Sequence, residues 1–113
     1  MDKLRELTRN RKRAYTWYQS HGSKGYQAVI DLEAAAYADG GLSGKEKELI
    51  AVGIAVVVNC ESCMQWHIEQ AAKRGATLNE VVEAIDVGIE MGGGPATVAA
   101  RFAMDVMIDV FED

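Results

Sequence analysis

The stretch that decides the fold is Ser43-Gly44-Lys45-Glu46-Lys47-Glu48-Leu49-Ile50-Ala51-Val52-Gly53-Ile54-Ala55-Val56-Val57-Val58-Asn59. Its second half is apolar from Leu49 to Val58 and rich in β-branched residues, a composition that also suits a strand. Its first half argues otherwise. Ser43 with Glu46 three residues on forms a capping box, in which hydroxyl and carboxylate each satisfy a backbone N–H that a first helical turn leaves orphaned. The box and the length of the whole segment predict a helix that opens at Ser43. Its apolar residues cover every side, which makes it the central buried helix of an all-α domain. A bilayer span needs about 20 apolar residues, so this run is too short to be one.

After this helix, Asn59 is expected as a break and cap, and a fourth helix is expected from Cys60 to Arg74, closed by Gly75. A fifth opens at Thr77, again with a capping box, to Glu80. Its Leu78, Val81, Val82, Ile85 and Ile89 keep helical spacing on one face. Gly92-Gly93-Gly94-Pro95 ends it; with no strand before it and no lysine placed for phosphate, the cluster reads as a sharp turn or a close helix contact. The last helix covers Ala96 to Phe111, with Ala99, Ala103, Val106, Met107 and Val110 facing inward. In the other direction a helix from Tyr26 to Ala38 stops at Asp39-Gly40-Gly41, and a first one over residues 2–19 ends near Ser20-His21-Gly22-Ser23. The expected architecture is one domain over residues 1–113, a compact bundle of about six helices with antiparallel neighbours. The N-terminal helix, residues 1–20, would be an arm or a subunit contact.

With 49% hydrophobic and 26% charged residues the 113-residue chain has a globular composition. Its net charge of −5 is uneven: residues 1–19 hold six basic side chains against two acidic ones, a balance of +4 that leaves −9 on the rest. A basic arm on an acidic body raises the question of nucleic acid, but the arm is short and the rest of the surface would repel a polyanion, so no nucleic-acid partner is expected. Met1-Asp2-Lys3-Leu4-Arg5 is not followed by an apolar block, so no secretory signal is visible and a cytoplasmic setting is expected. No membrane association is expected either. Helices apolar on most sides leave more apolar surface than so short a chain can cover, which points to a homo-oligomer.

The chemistry concentrates in Cys60-Glu61-Ser62-Cys63-Met64-Gln65-Trp66-His67, which contains both cysteines of the chain. A disulfide between them would close almost no loop, so they are there for reactivity or for a metal rather than as a scaffold staple. On a helix, positions i, i+3 and i+7 lie within about 60° of one another, so Cys60, Cys63 and His67 share one narrow face. A cysteine at a helix start meets unpaired N–H groups and a dipole that favour the thiolate. An imidazole one turn on can take or return a proton near neutral pH. Thioredoxin, the usual bearer of such a pair, needs a βαβ context that this sequence lacks.

Glu48, Cys60, Cys63 and His67 together resemble the pattern E-x11-C-x2-C-x3-H of the alkylhydroperoxidase D-like proteins, part of the carboxymuconolactone decarboxylase superfamily. The resemblance runs from about Ser43 to Ala100. It implies an all-helical fold, assembly as trimers or hexamers, and thiol-dependent reduction of hydroperoxides or disulfides by an external dithiol, with no organic cofactor and no metal. By that likeness Cys63 is the attacking thiol, Cys60 the resolving one, and His67 and Glu48 move protons. The helix-start argument instead makes Cys60 the more acidic thiol. The family's best-known pattern has a histidine immediately before the second cysteine, where this chain has Ser62, which implies a shorter relay and a slower peroxidase. Glu48 poses a geometric condition: on one unbroken helix it would point about 120° away from Cys60. It joins the site only if the chain turns near Asn59.

Other readings stand beside this one. Cys60, Cys63 and His67 could bind zinc within a non-catalytic assembly module, although a structural zinc site wants a fourth ligand and only His21 or Glu48 is spare. Glu48 could be a solvated first-turn glutamate beside Lys45 and Lys47. Trp66, Trp17, Tyr15, Tyr18 and Tyr26 read as core or subunit interface before substrate pocket. His21 reads as an exposed loop residue.

Overall fold

The computed structural model describes residues 2–112, which form six helices: α1 (Asp2–Ser20), α2 (Lys24–Ala36), α3 (Gly44–Val57), α4 (Glu61–Lys73), α5 (Leu78–Gly92) and α6 (Gly94–Phe111). No strand occurs among the described residues. None of the helices is long and apolar enough to cross a membrane. The chain divides into two compact units, residues 2–38 and residues 39–112.

The first unit is the pair α1 and α2. Ser23 caps α2 by accepting the N–H of Tyr26 at 3.2 Å, so the helix starts two residues earlier than its apolar pattern indicates. The pair is held by side chains: Gln19 donates to Gln27 at 2.7 Å, and the rings of Tyr18 and Tyr26 stack at 4.6 Å. Tyr15 meets the edge of Tyr26, and Trp17 stacks on His21 at 4.0 Å. Tyr15, Trp17 and Tyr18 stay exposed, so these aromatics form a surface cluster and not a core. His21 lies at the exposed turn, as read from the sequence, with Nδ1 bonded to the Trp17 carbonyl at 2.8 Å.

In the second unit α3 and α6 each pack on the other three helices, with α4 and α5 on either side. Both expected capping boxes form. Ser43 and Glu46 exchange bonds at the start of α3, as do Thr77 and Glu80 at the start of α5. Asp39 adds a bond of 2.6 Å to the N–H of Gly44. The two helix starts are tied by Lys45 and Glu80 at 2.9 Å. The core consists of Val52, Val56, Met64, Ile68, Val81 and Val106, filled in by Ala51, Ala55, Ala71 and Ala103. Each large side chain buried there contributes about 1.5–3 kcal/mol.

Two expectations are corrected. The helix read as buried on every side is buried on one: Ile50, Ile54, Val57 and Val58 are 43–62% exposed, because α4, α5 and α6 cover only part of its circumference. Val82, placed inward by spacing, is 39% exposed; Val81, Ile85 and Gly88 form the buried stripe of α5 instead. On α6 the inward face holds for Ala99, Ala103 and Val106, with Ala96 and Phe102 added, while Met107 and Val110 are half-buried. Gly93 ends α5 and starts α6 at φ 69°, ψ −149°, a region open essentially only to glycine, and Pro95 follows in the first turn of α6.

Candidate functional site

The break between α3 and α4 builds the site. Asn59 adopts φ 55°, the left-handed conformation that asparagine tolerates better than most residues. Beyond it the N–H of Cys60 donates to the Ala55 carbonyl at 3.1 Å, closing the end of α3 as in a Schellman motif. The chain reverses within these residues, and α4 packs back along α3. Asn59 therefore ends α3, and the N-cap of α4 is Cys60 itself, whose Sγ accepts the N–H of Cys63 at 3.2 Å.

Cys60 and Cys63 are joined by a disulfide and both are half-buried. From Glu61 through His67 the backbone is helical, so Cys63 and His67 sit one turn apart on the same face. The reversal brings Glu48 to that helix. Its carboxylate is 4% exposed; Oε1 lies 2.7 Å from His67 Nδ1 and Oε2 lies 4.0 Å from Arg74 Nε. Glu48 is thus a buried partner of the imidazole rather than a solvated first-turn acid. A carboxylate oxygen accepts, so in this pair the Nδ1–H of His67 donates to Glu48 Oε1.

All four residues read from the sequence come together in one place on α3 and α4. Arg74 was not among them. It stands seven residues after His67 and thus on the same side of α4, a spacing that would have found it. The sulfurs are bonded to each other, and among the described residues no three His, Cys, Asp or Glu side chains are grouped so as to hold a metal ion. Trp66 is half-buried on α4.

Comparison with known proteins bears on the whole arrangement. The sequence model of the carboxymuconolactone decarboxylase family matches residues 24–105. A Paracoccus denitrificans protein, "Uncharacterized protein 4 in cox locus", is 37% identical over 83 residues, which are 74% of this chain and 75% of that protein. A Cupriavidus necator protein is 43% identical over 70 residues, 62% of either chain, so the match spans less than two thirds of that relative. Among solved structures, a carboxymuconolactone decarboxylase family protein of Legionella pneumophila superimposes with a TM-score of 0.90 at 29% identity, covering 97% of this chain and 98% of that one. A family protein of Thermotoga maritima, described with a suggested part in an antioxidative response, gives a TM-score of 0.82 at 26% identity over 92% of this chain and 88% of its own.

Proposed function

This chain belongs to the carboxymuconolactone decarboxylase family, and on that premise we propose that it is a thiol oxidoreductase that reduces hydroperoxides through Cys60 and Cys63. The observation that carries the reading is the disulfide at the start of α4, one helical turn from an imidazole held by a buried carboxylate. In the reduced protein the Cys63 thiolate attacks the terminal oxygen of a hydroperoxide. The O–O bond breaks, the alcohol leaves with a proton relayed through His67, and Cys63 becomes a sulfenic acid. The Cys60 thiolate then attacks that sulfur, expelling hydroxide that is protonated to water, and the Cys60–Cys63 disulfide forms. An external dithiol returns the two electrons. Glu48 fixes the ring and its tautomer, as second carboxylates do for catalytic imidazoles. The antioxidative part suggested for the Thermotoga relative supports the same chemistry.

The reading places the protein in the reducing cytoplasm, where a dithiol donor is at hand. It also includes a homo-oligomer of three or six chains, supported by the exposed apolar side chains of α3 and α5. The test is consumption of tert-butyl hydroperoxide with dithiothreitol as donor. Wild-type protein turns over and Cys63→Ser does not, while mass spectrometry of the peroxide-treated wild type finds two hydrogens lost from the peptide carrying residues 60–63. Absence of turnover, with zinc co-purifying at one ion per chain, would replace this reading with the metal-holding one.

A further inference from the structure

The two sulfurs of the disulfide do not have the same surroundings. Cys60 occupies the N-cap of α4 with extended backbone (φ −102°, ψ 100°), the place usually taken by a serine or aspartate oxygen. Its Sγ accepts the N–H of Cys63 at 3.2 Å while still bonded to the other sulfur. A disulfide sulfur is a weak acceptor; a thiolate in the same position is a charged one, and charged hydrogen bonds are about twice as strong as neutral ones. Negative charge arriving on Cys60 would thus meet a donor already aimed at it, at the positive end of a 13-residue helix. Cys63 has no equivalent: its own N–H is committed to Cys60. Its neighbour one turn along is His67, whose Nδ1 is turned to Glu48, a group suited to passing a proton. Glu61, also in the first turn of α4, opposes charge at this helix start.

In thiol–disulfide exchange the bond breaks toward the thiol that leaves more readily as an anion. We propose that the external reductant attacks Sγ of Cys63 and that Cys60 departs as the thiolate, so the mixed disulfide with the donor forms on Cys63. The first step forms a donor–Cys63 S–S bond, breaks the Cys60–Cys63 bond and leaves the electron pair on Cys60. The donor's second thiolate then attacks the donor sulfur. Cys63 is released and takes up a proton through His67, and the donor leaves as its own disulfide. This assignment rests on the dithiol reading above and reconciles its two cysteines: Cys63 is the sulfur that both peroxide and donor meet, and the more acidic Cys60 resolves and leaves.

The test does not pass through peroxide. Oxidised protein is mixed with 2-mercaptoethanol, quenched in acid, and alkylated with N-ethylmaleimide; fragment ions that break the chain at Glu61 or Ser62 then place the adduct. A mercaptoethanol adduct on Cys63 with maleimide on Cys60, in excess over the reverse by about tenfold or more, is expected. The reverse, or an even mixture, overturns the proposal. Should the free thiol consume the adduct before the quench, thiolate absorbance decides. The Cys60 thiol of Cys63→Ser should ionise at lower pH than the Cys63 thiol of Cys60→Ser, and equal or opposite order overturns it. Serine at position 60 preserves the cap, so both variants keep α4 intact. A correct adduct map without peroxide turnover would sink the peroxidase reading alone; turnover with the adduct on Cys60 would sink only this one.

Discussion

A carboxylate with 4% of its side chain exposed is costly in a domain this small unless both its oxygens find partners, and Glu48 divides them between His67 and Arg74. Glu48→Gln keeps the shape and an acceptor for Nδ1 but removes the charge that steadies an imidazolium and sets an amide against the guanidinium. The protein should still fold, and dithiol-dependent peroxide reduction should fall by about a hundredfold or more. Steady-state peroxide consumption beside a thermal melt checks this, and an unchanged rate in a folded variant removes Glu48 from the mechanism. Cys63 and His67 were legible in the sequence because helical periodicity alone puts them on one face; Cys60, read there as the first residue of the helix, stands on extended backbone at its N-cap and meets Cys63 through the disulfide. Glu48 was not legible that way: its angle on a continuous helix is wrong, and only the left-handed backbone of Asn59 corrects it. Asparagine is common both at N-caps and at left-handed helix ends, so the sequence could mark the break without saying which helix it served. Arg74, which the sequence marked only as the end of the fourth helix, gains its place at the site from the carboxylate beside it.

At the level of the helices, α3 and α5 cross at close quarters through two glycines, Gly53 and Gly88. A Cβ on Gly88 would lie 2.6 Å from the Gly53 carbonyl oxygen and 2.5 Å from Val56 Cγ2. The backbone cannot retreat without moving the helix that carries Glu48. Gly88→Ala should destabilise the fold by about 2–3 kcal/mol, read from a urea transition. Gly53→Ala, whose Cβ would meet the Ala84 carbonyl at 3.0 Å, should cost less, and a neutral Gly88→Ala would contradict this packing. The capping boxes give a second expectation. Ser43 holds the Glu46 carboxyl, and Thr77 with Lys45 holds that of Glu80, below the ordinary carboxylate value. A folded-state pKa that is lowered contributes stability that is complete above the unfolded value of 4.5 and is lost as pH falls through the lowered one. Glu46→Gln with Glu80→Gln should therefore flatten the loss of stability below about pH 4.5 and leave a smaller stability at pH 7, measured by urea midpoints across that window. These boxes were visible in the sequence because they need only four residues each. The glycine crossing was not, since Gly53 and Gly88 are 35 positions apart and neither carries a side chain whose pattern could announce the contact.

For the molecule as a whole, the sequence made α3 apolar all round but could not say what each side would meet. Within one chain Ile50, Ile54 and Val57, spaced one helical turn apart, are left exposed, as are Val87 and Met91 on α5, the helix packed beside it. Such a surface is costly on a lone domain, and the proposed homo-oligomer follows from covering it with another copy. Light scattering on a sizing column should give a mass that is a multiple of 12.3 kDa. Ile54→Asp should lower it to the single-chain value with the helical circular dichroism retained, because a side chain 55% exposed is not needed for the chain's own core. Salt separates this seam from the alternative in which the basic first helix holds the acidic remainder of another copy. Charges separated by more than about 8–10 Å are screened at ordinary ionic strength, so an assembly held by them would dissociate as salt is raised. Apolar burial is strengthened by sulfate. A mass that holds or rises in ammonium sulfate and collapses with Ile54→Asp places the contact on α3, whereas dissociation by salt alone, with Ile54→Asp still assembled, moves it to the charged arm.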